Sequence, residues 1–241
     1  MKIYNFNSPN FSKKKRLSKT INLIVFHYTG MQSERESIIR LCNPKYKVSS
    51  HFVIGRKGQV YRLVQDDRVA WHAGKSRWKK LKNLNKNSIG IELVNKGHKF
   101  GYENFTKKQI LVLVKICKKL TKKYNIKEKN IIGHSDIAPL RKIDPGEKFP
   151  WKYLAQKRLG IWHSFKPKLI KRYRRIKILK KNEKINFANN LKKIGYCFPR
   201  NRKSTLPKVI KAFQRHYRQE LINGFVDKET LVIAQNLTKF V

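Results

Sequence analysis

Acidic residues are scarce in this chain: 14 Asp and Glu stand against 58 Lys and Arg over 241 residues, a formal net charge of +44. So little negative charge favours polyanionic partners, whether nucleic acid, an anionic membrane or an acidic wall polymer. The basic residues are scattered, as at 13–16, 79–82 and 118–123, and Lys, Asn and Ile are all abundant. A compositional bias therefore accounts for the same excess. With no nucleic-acid motif and no clustered basic face, specific nucleic-acid binding is set aside as the main function. Cysteine is sparse too: Cys42, Cys117 and Cys197 are far apart with no CxxC pair, which excludes a disulfide framework and suits a reducing compartment. No run approaches about 18 consecutive apolar residues, so no transmembrane helix is expected. The first residues lack an apolar core of about 7–15 residues, and no secretory signal is read there.

What is present suffices for a folded core. The chain is 40% hydrophobic with 13 Phe, 10 Tyr and 4 Trp, too aromatic for a disordered polymer. Its length suits one domain of about 150–180 residues and a small second unit. Residues 21–26 read as a buried strand that delivers His27. A helix with Ile38, Ile39 and Cys42 on its apolar side ends near Asn43-Pro44. Residues 51–64 read as a hairpin turning at Gly58, and 88–94 as another strand. Thr106 caps a helix to about Lys123, with Ile110, Leu113, Val114, Cys117 and Leu120 on one stripe. Residues 130–133 form a short strand that presents His134, and prolines keep 135–150 as loop. The pattern predicts an α/β fold, a mixed central sheet flanked by helices.

His27, His134 and Asp144 are the candidate metal ligands. Two histidines and a carboxylate, with one position left for water, are a common set for catalytic zinc. Spacing alone carries little weight, because seven histidines combine in many ways. Glu92 lies in a strand whose Ile89, Ile91 and Leu93 face the other way. Such a carboxylate serves in chemistry or in a buried salt bridge.

The neighbouring residues are more specific. VFHYTG (25–30), AWHAGKS (70–76), SIGIELVN (88–95) and GHSDIAPLRKIDPGEKFPW (133–151) resemble, in the same order, the zinc-dependent N-acetylmuramoyl-L-alanine amidases of the AmpD and AmiD type. The resemblance implies the peptidoglycan-recognition/T7-lysozyme-like fold, with Zn2+ held by His27, His134 and Asp144. It also places the catalytic acidic residue at Glu92 and the catalytic lysine at Lys142. Peptidoglycan or muropeptide fragments are then the partner. Trp71 and His72 are placed along the substrate groove, where Trp71 packs on sugar or the lactyl group; for His72, loop stabilisation is the other reading. Arg141 either pairs with a stem-peptide carboxylate or is a surface charge. The alternative function is a recognition protein of the same fold that binds without cutting.

The domain reading is 1–160 catalytic, 161–182 a basic linker or bridging helix, and 183–241 a small three-helix bundle. LKKIGY (191–196), Ala212-Phe213-Gln214 and Gly224-Phe225-Val226-Asp227 resemble the peptidoglycan-binding domain appended to wall hydrolases. Nothing in the sequence demands more than a monomer. The resemblance implies a bacterial protein, cytoplasmic if the missing signal is decisive and envelope-associated if the wall module is. His51 is read as structural, and His98, His163 and His216 are given no role.

Overall fold

A computed structural model describes residues 2–176, 180–198 and 202–241. Residues 177–179 of the basic segment, and 199–201 within the C-terminal unit, lie outside the described residues. The chain opens with β1 (Ile3–Asn5), β2 (Phe11–Ser12), β3 (Leu23–Tyr28) and α1 (Glu34–Cys42), then β4 (Phe52–Ile54), β5 (Val60–Arg62) and β6 (Val69–Ala70). A small ribbon, β7 (Arg77–Trp78) and β8 (Leu81–Lys82), precedes β9 (Ser88–Leu93), α2 (Lys107–Tyr124) and β10 (Ile131–Gly133). Helices α3 (His134–Ile137), α4 (Trp151–Gln156), α5 (Pro167–Arg174), α6 (Lys181–Ile194), α7 (Arg202–Tyr217) and α8 (Lys228–Leu237) complete it.

Six strands form one sheet in the order β1-β5-β4-β9-β3-β10. Its pairings are parallel except for the β4–β5 hairpin, which turns at Gly58 as expected. Alternation along the strands splits the core between two faces. Ile24, Phe26, Ile89, Ile91 and Leu93 pack beneath Leu113 and Cys117 of α2 and Trp151 of α4. Leu23, Val25 and Ile132 point the opposite way, into a cluster with Phe187, Phe213 and Leu237 of α6, α7 and α8. The C-terminal helices thus share a core with the sheet. Each fully buried side chain of this size contributes about 1.5–3 kcal/mol, so the helices are held firmly against that face.

Helix α2 begins on a reciprocal capping box, Thr106 with Gln109, which ties two otherwise unpaired backbone N–H groups. Within the basic segment, α5 (Pro167–Arg174) buries Ile170. Helix α1 departs from expectation. It buries Ser37 and Leu41, while Ile39 is 52% exposed. Ser37 can be buried because its hydroxyl donates to the Ser33 carbonyl. Among the described residues no helix is long and apolar enough to cross a membrane.

Candidate metal centre

Strands β9, β3 and β10 lie side by side and run parallel, so their C-terminal ends share one edge, the usual ligand edge of such sheets. The register sets His27 opposite Glu92 and Gly133 opposite Phe26. His134, the next residue after β10, therefore lands beside His27. Asp144 completes the group from the loop that follows α3. Its Oδ2 lies 3.1 Å from His27 Nδ1 and 3.0 Å from His134 Nδ1. The two Nδ1 atoms are 2.9 Å apart, and all three residues are buried.

Hydrogen bonds outside this triangle assign its tautomers. Ser88 Oγ is 2.6 Å from the Leu84 carbonyl, which has no proton to give, so the hydroxyl donates there. The oxygen then accepts from His72 Nε2–H at 3.1 Å. His72 Nδ1 is left to accept from His27 Nε2–H at 3.0 Å, and His27 Nδ1 keeps a lone pair. His134 Nε2–H donates to the Ala73 carbonyl at 3.2 Å, which bares its Nδ1 as well. Burial first, then the His134 ring, brings the His27 pKa down to about 4. Burial, His27 and His51 push His72 well below its ordinary value. Both rings are therefore neutral at pH 7, as the relay requires.

Two ring lone pairs and a carboxylate aimed at one point repel one another; a cation between them reverses the sign. Tetrahedral zinc, with bonds of about 2.0–2.1 Å, has ligand edges of about 3.3 Å. The triangle is within a few tenths of an ångström of that, so the residues fit a metal ion.

Two glycines make the close packing possible. A Cβ on Gly90 would stand 2.4 Å from the His72 ring, and one on Gly133 would stand 2.7 Å from Pro145 Cδ. Only glycine lets the ring lie over β9 and the Asp144-Pro145 segment lie against β10.

Glu92 is 8% exposed and its Oε2 has no hydrogen-bond partner. Burial, followed by Asp144, raises its pKa to about 8, and Lys142 pulls it back. The register sets Glu92 beside His27, and the Lys142 charge acts on both residues. Trp71, His72 and Arg141 each make hydrogen bonds within the protein. Trp71 is half-buried and its Nε1 donates to Ser12 Oγ at 3.3 Å. His72 lies beneath His27, with both ring nitrogens engaged and 5% of its surface exposed, instead of lining a groove. Arg141 donates from Nη2 to the Ala73 carbonyl and at 2.9 Å to that of Lys75, bracing the loop that also receives His134. His51 is structural: its Nδ1 accepts from Gly90 N–H.

Sequence reasoning passed over Asp136, Tyr196 and His216. Asp136 is buried, with Tyr196 Oη at 2.6 Å and His216 Nδ1 at 2.8 Å from its carboxylate. The only signal available was an Asp two residues past a ligand.

Residues 17–147 match the N-acetylmuramoyl-L-alanine amidase family. The chain is 34% identical over 237 residues to the N-acetylmuramoyl-L-alanine amidase AmiD of Escherichia coli (strain K12), covering 90% of this chain and 82% of AmiD. It is 32% identical over 167 residues to the 1,6-anhydro-N-acetylmuramyl-L-alanine amidase AmpD of Haemophilus influenzae, covering 61% of this chain and 88% of that one. The solved complex of E. coli AmiD with anhydro-N-acetylmuramic acid-L-Ala-D-γ-Glu-L-Lys superposes with a TM-score of 0.80 at 32% identity, over 95% of this chain and 92% of AmiD. Matched over more than half its length, and aligned with a relative across most of both sequences, the chain belongs to the N-acetylmuramoyl-L-alanine amidase family.

Proposed function

We propose that the chain is a zinc-dependent amidase. It would hydrolyse the bond between the lactyl group of N-acetylmuramic acid, anhydro or not, and the L-alanine of peptidoglycan fragments. The observation that carries the metal part is the convergence of His27 Nδ1, His134 Nδ1 and Asp144 Oδ2, two of them stripped of protons by partners outside the triangle. Zinc held there supplies Lewis acidity, toward water and toward an amide carbonyl alike. Glu92, buried and with a carboxyl oxygen that has no partner, takes a proton from the attacking water in its ionised form, which a bound cation would favour against the burial that raises its pKa to about 8, and returns it to the departing amine. Lys142 brings an ammonium to the side where the carbonyl oxygen gains charge. Arg141 and the Ala73 carbonyl orient His134, and the relay through His72 and Ser88 orients His27.

A recognition protein that binds without cutting has no need of Glu92 buried next to three metal donors, so hydrolysis is the better reading. Within the proposed division at 160 and 182, the 183–241 unit is the candidate wall-binding part. There Gln214 holds the 223–225 turn through Asn223, Gly224 and Phe225. Such a unit would raise the local concentration of substrate.

Chelation tests the metal assignment. Dialysis against a chelator should abolish muropeptide hydrolysis, and one equivalent of zinc per chain should restore it. Full activity in protein shown to be metal-free would refute the proposal.

A further inference from the structure

We infer that the C-terminal helices are a built part of the metal centre, with Tyr196 and His216 positioning the turn that carries His134 through Asp136. This rests on the metal reading above.

Asp136 is 1% exposed and takes three donors. Gly133 N–H and His216 Nδ1–H reach its Oδ2 at 2.7 and 2.8 Å, and the Tyr196 hydroxyl reaches its Oδ1 at 2.6 Å. Gly133 precedes His134 and Asp136 follows it by two residues, so the carboxylate closes the first turn of α3 around the ligand. Tyr196 follows α6, and His216 is near the end of α7, 60 and 80 residues away. Take both away, and a buried carboxylate keeps only the donor from its own turn.

The His216 ring is itself clamped. It stacks on Trp151 at 3.7 Å and on Tyr217 at 3.9 Å between centroids. Trp151 in turn lies against Gly133, 3.1 Å from where a Cβ would be. Just past α7, Gln219 Nε2 donates to the carbonyls of Glu147 and Phe149, the latter at 2.7 Å. Those carbonyls belong to the loop that brings Asp144 to the site. Tyr196, His216 and Gln219 therefore brace both segments that follow β10 and carry ligands. A module that merely tethers the enzyme to its substrate needs none of these buried bonds.

Partners that orient a metal ligand change metal affinity when removed, commonly by about 10- to 100-fold. Two substitutions in the full chain separate positioning from plain stabilisation. His216→Phe keeps the aromatic stack and removes the Nδ1–H donor. His216→Asn sets an amide N–H near the place of Nδ1 and removes most of the ring. Zinc affinity is read by competition with a fluorescent chelator, and the melting temperature of the metal-free protein is read alongside. The Phe variant should bind zinc about tenfold more weakly, and the Asn variant should stay within about threefold of the unmodified chain. Affinity that is unchanged in the Phe variant, or equally lost in both, overturns the inference. Should His216→Phe fail to fold, Tyr196→Phe removes a single oxygen and carries the same expectation. An unmodified chain that binds no zinc would defeat the metal reading itself, which is a different result.

Discussion

Behind the metal relay, His51 is wholly buried. Gly90 N–H donates to its Nδ1 at 3.0 Å, so Nε2 carries the proton, toward the Arg68 carbonyl. The Arg16 guanidinium stands 2.8 Å from Nε2 and opposes a positive ring. Burial, then Arg16, lowers its pKa to about 3. In the unfolded chain the same ring titrates near about 6.5. Below that pH the unfolded state binds a proton that the fold refuses. The stability from this group is therefore complete above about pH 6.5 and is lost as pH falls toward 3, at up to about 1.4 kcal/mol per pH unit. Urea unfolding of metal-free protein between pH 7 and 5 should show the decline, and His51→Gln should flatten it by that amount. An equal slope in both proteins would contradict the assignment. At this scale the sequence was most legible where a side chain ends a strand, as His27 and His134 do. Asp136 and His216 were not, because a hydrogen bond across 80 residues has no spacing to read. His72 was visible in its motif, yet its place under His27 depends on the room left by Gly90, a property of two strands at once.

The helices differ in how their ends are tied. Thr106 caps α2 through Gln109 N–H at 3.1 Å. Asp227 caps α8 through Thr230 N–H at 2.8 Å, and also pairs with Arg218, a buried guanidinium that shares Glu229. Thr106→Ala should cost about 1 kcal/mol. Asp227→Ala should cost about 3 kcal/mol, since it removes a cap and half of the compensation for a buried charge. Denaturant melts of the two variants check the difference; equal losses would mean that the Arg218 pair contributes nothing. The Thr106 cap was readable as a residue type ahead of an apolar period. The exposed Ile39 of α1 was not, because a short apolar stripe cannot say whether anything covers it. For the same reason the sequence of 161–182 left a linker and a bridging helix equally open; α5, within it, buries Ile170.

In the whole molecule, the sheet is covered on both faces. Helices α2 and α4 take one, and α6–α8 the other. The sequence showed two apolar patterns separated by a basic stretch, which reads naturally as two units. Periodicity reveals that a helix has a buried face, but the covering partner is set by tertiary packing, and here that partner is the sheet holding the metal ligands. In the proposed function the frame serves to cut one amide bond with Glu92 as the proton carrier. The most direct test incubates zinc-loaded protein, and its Glu92→Ala variant with zinc content measured, with soluble muropeptides and with purified sacculi, and reads the products by mass spectrometry. Free stem peptide beginning with L-alanine is expected from the unmodified chain, and almost none from a variant that still holds its zinc. Product from both proteins alike, or from neither, would contradict the proposed function.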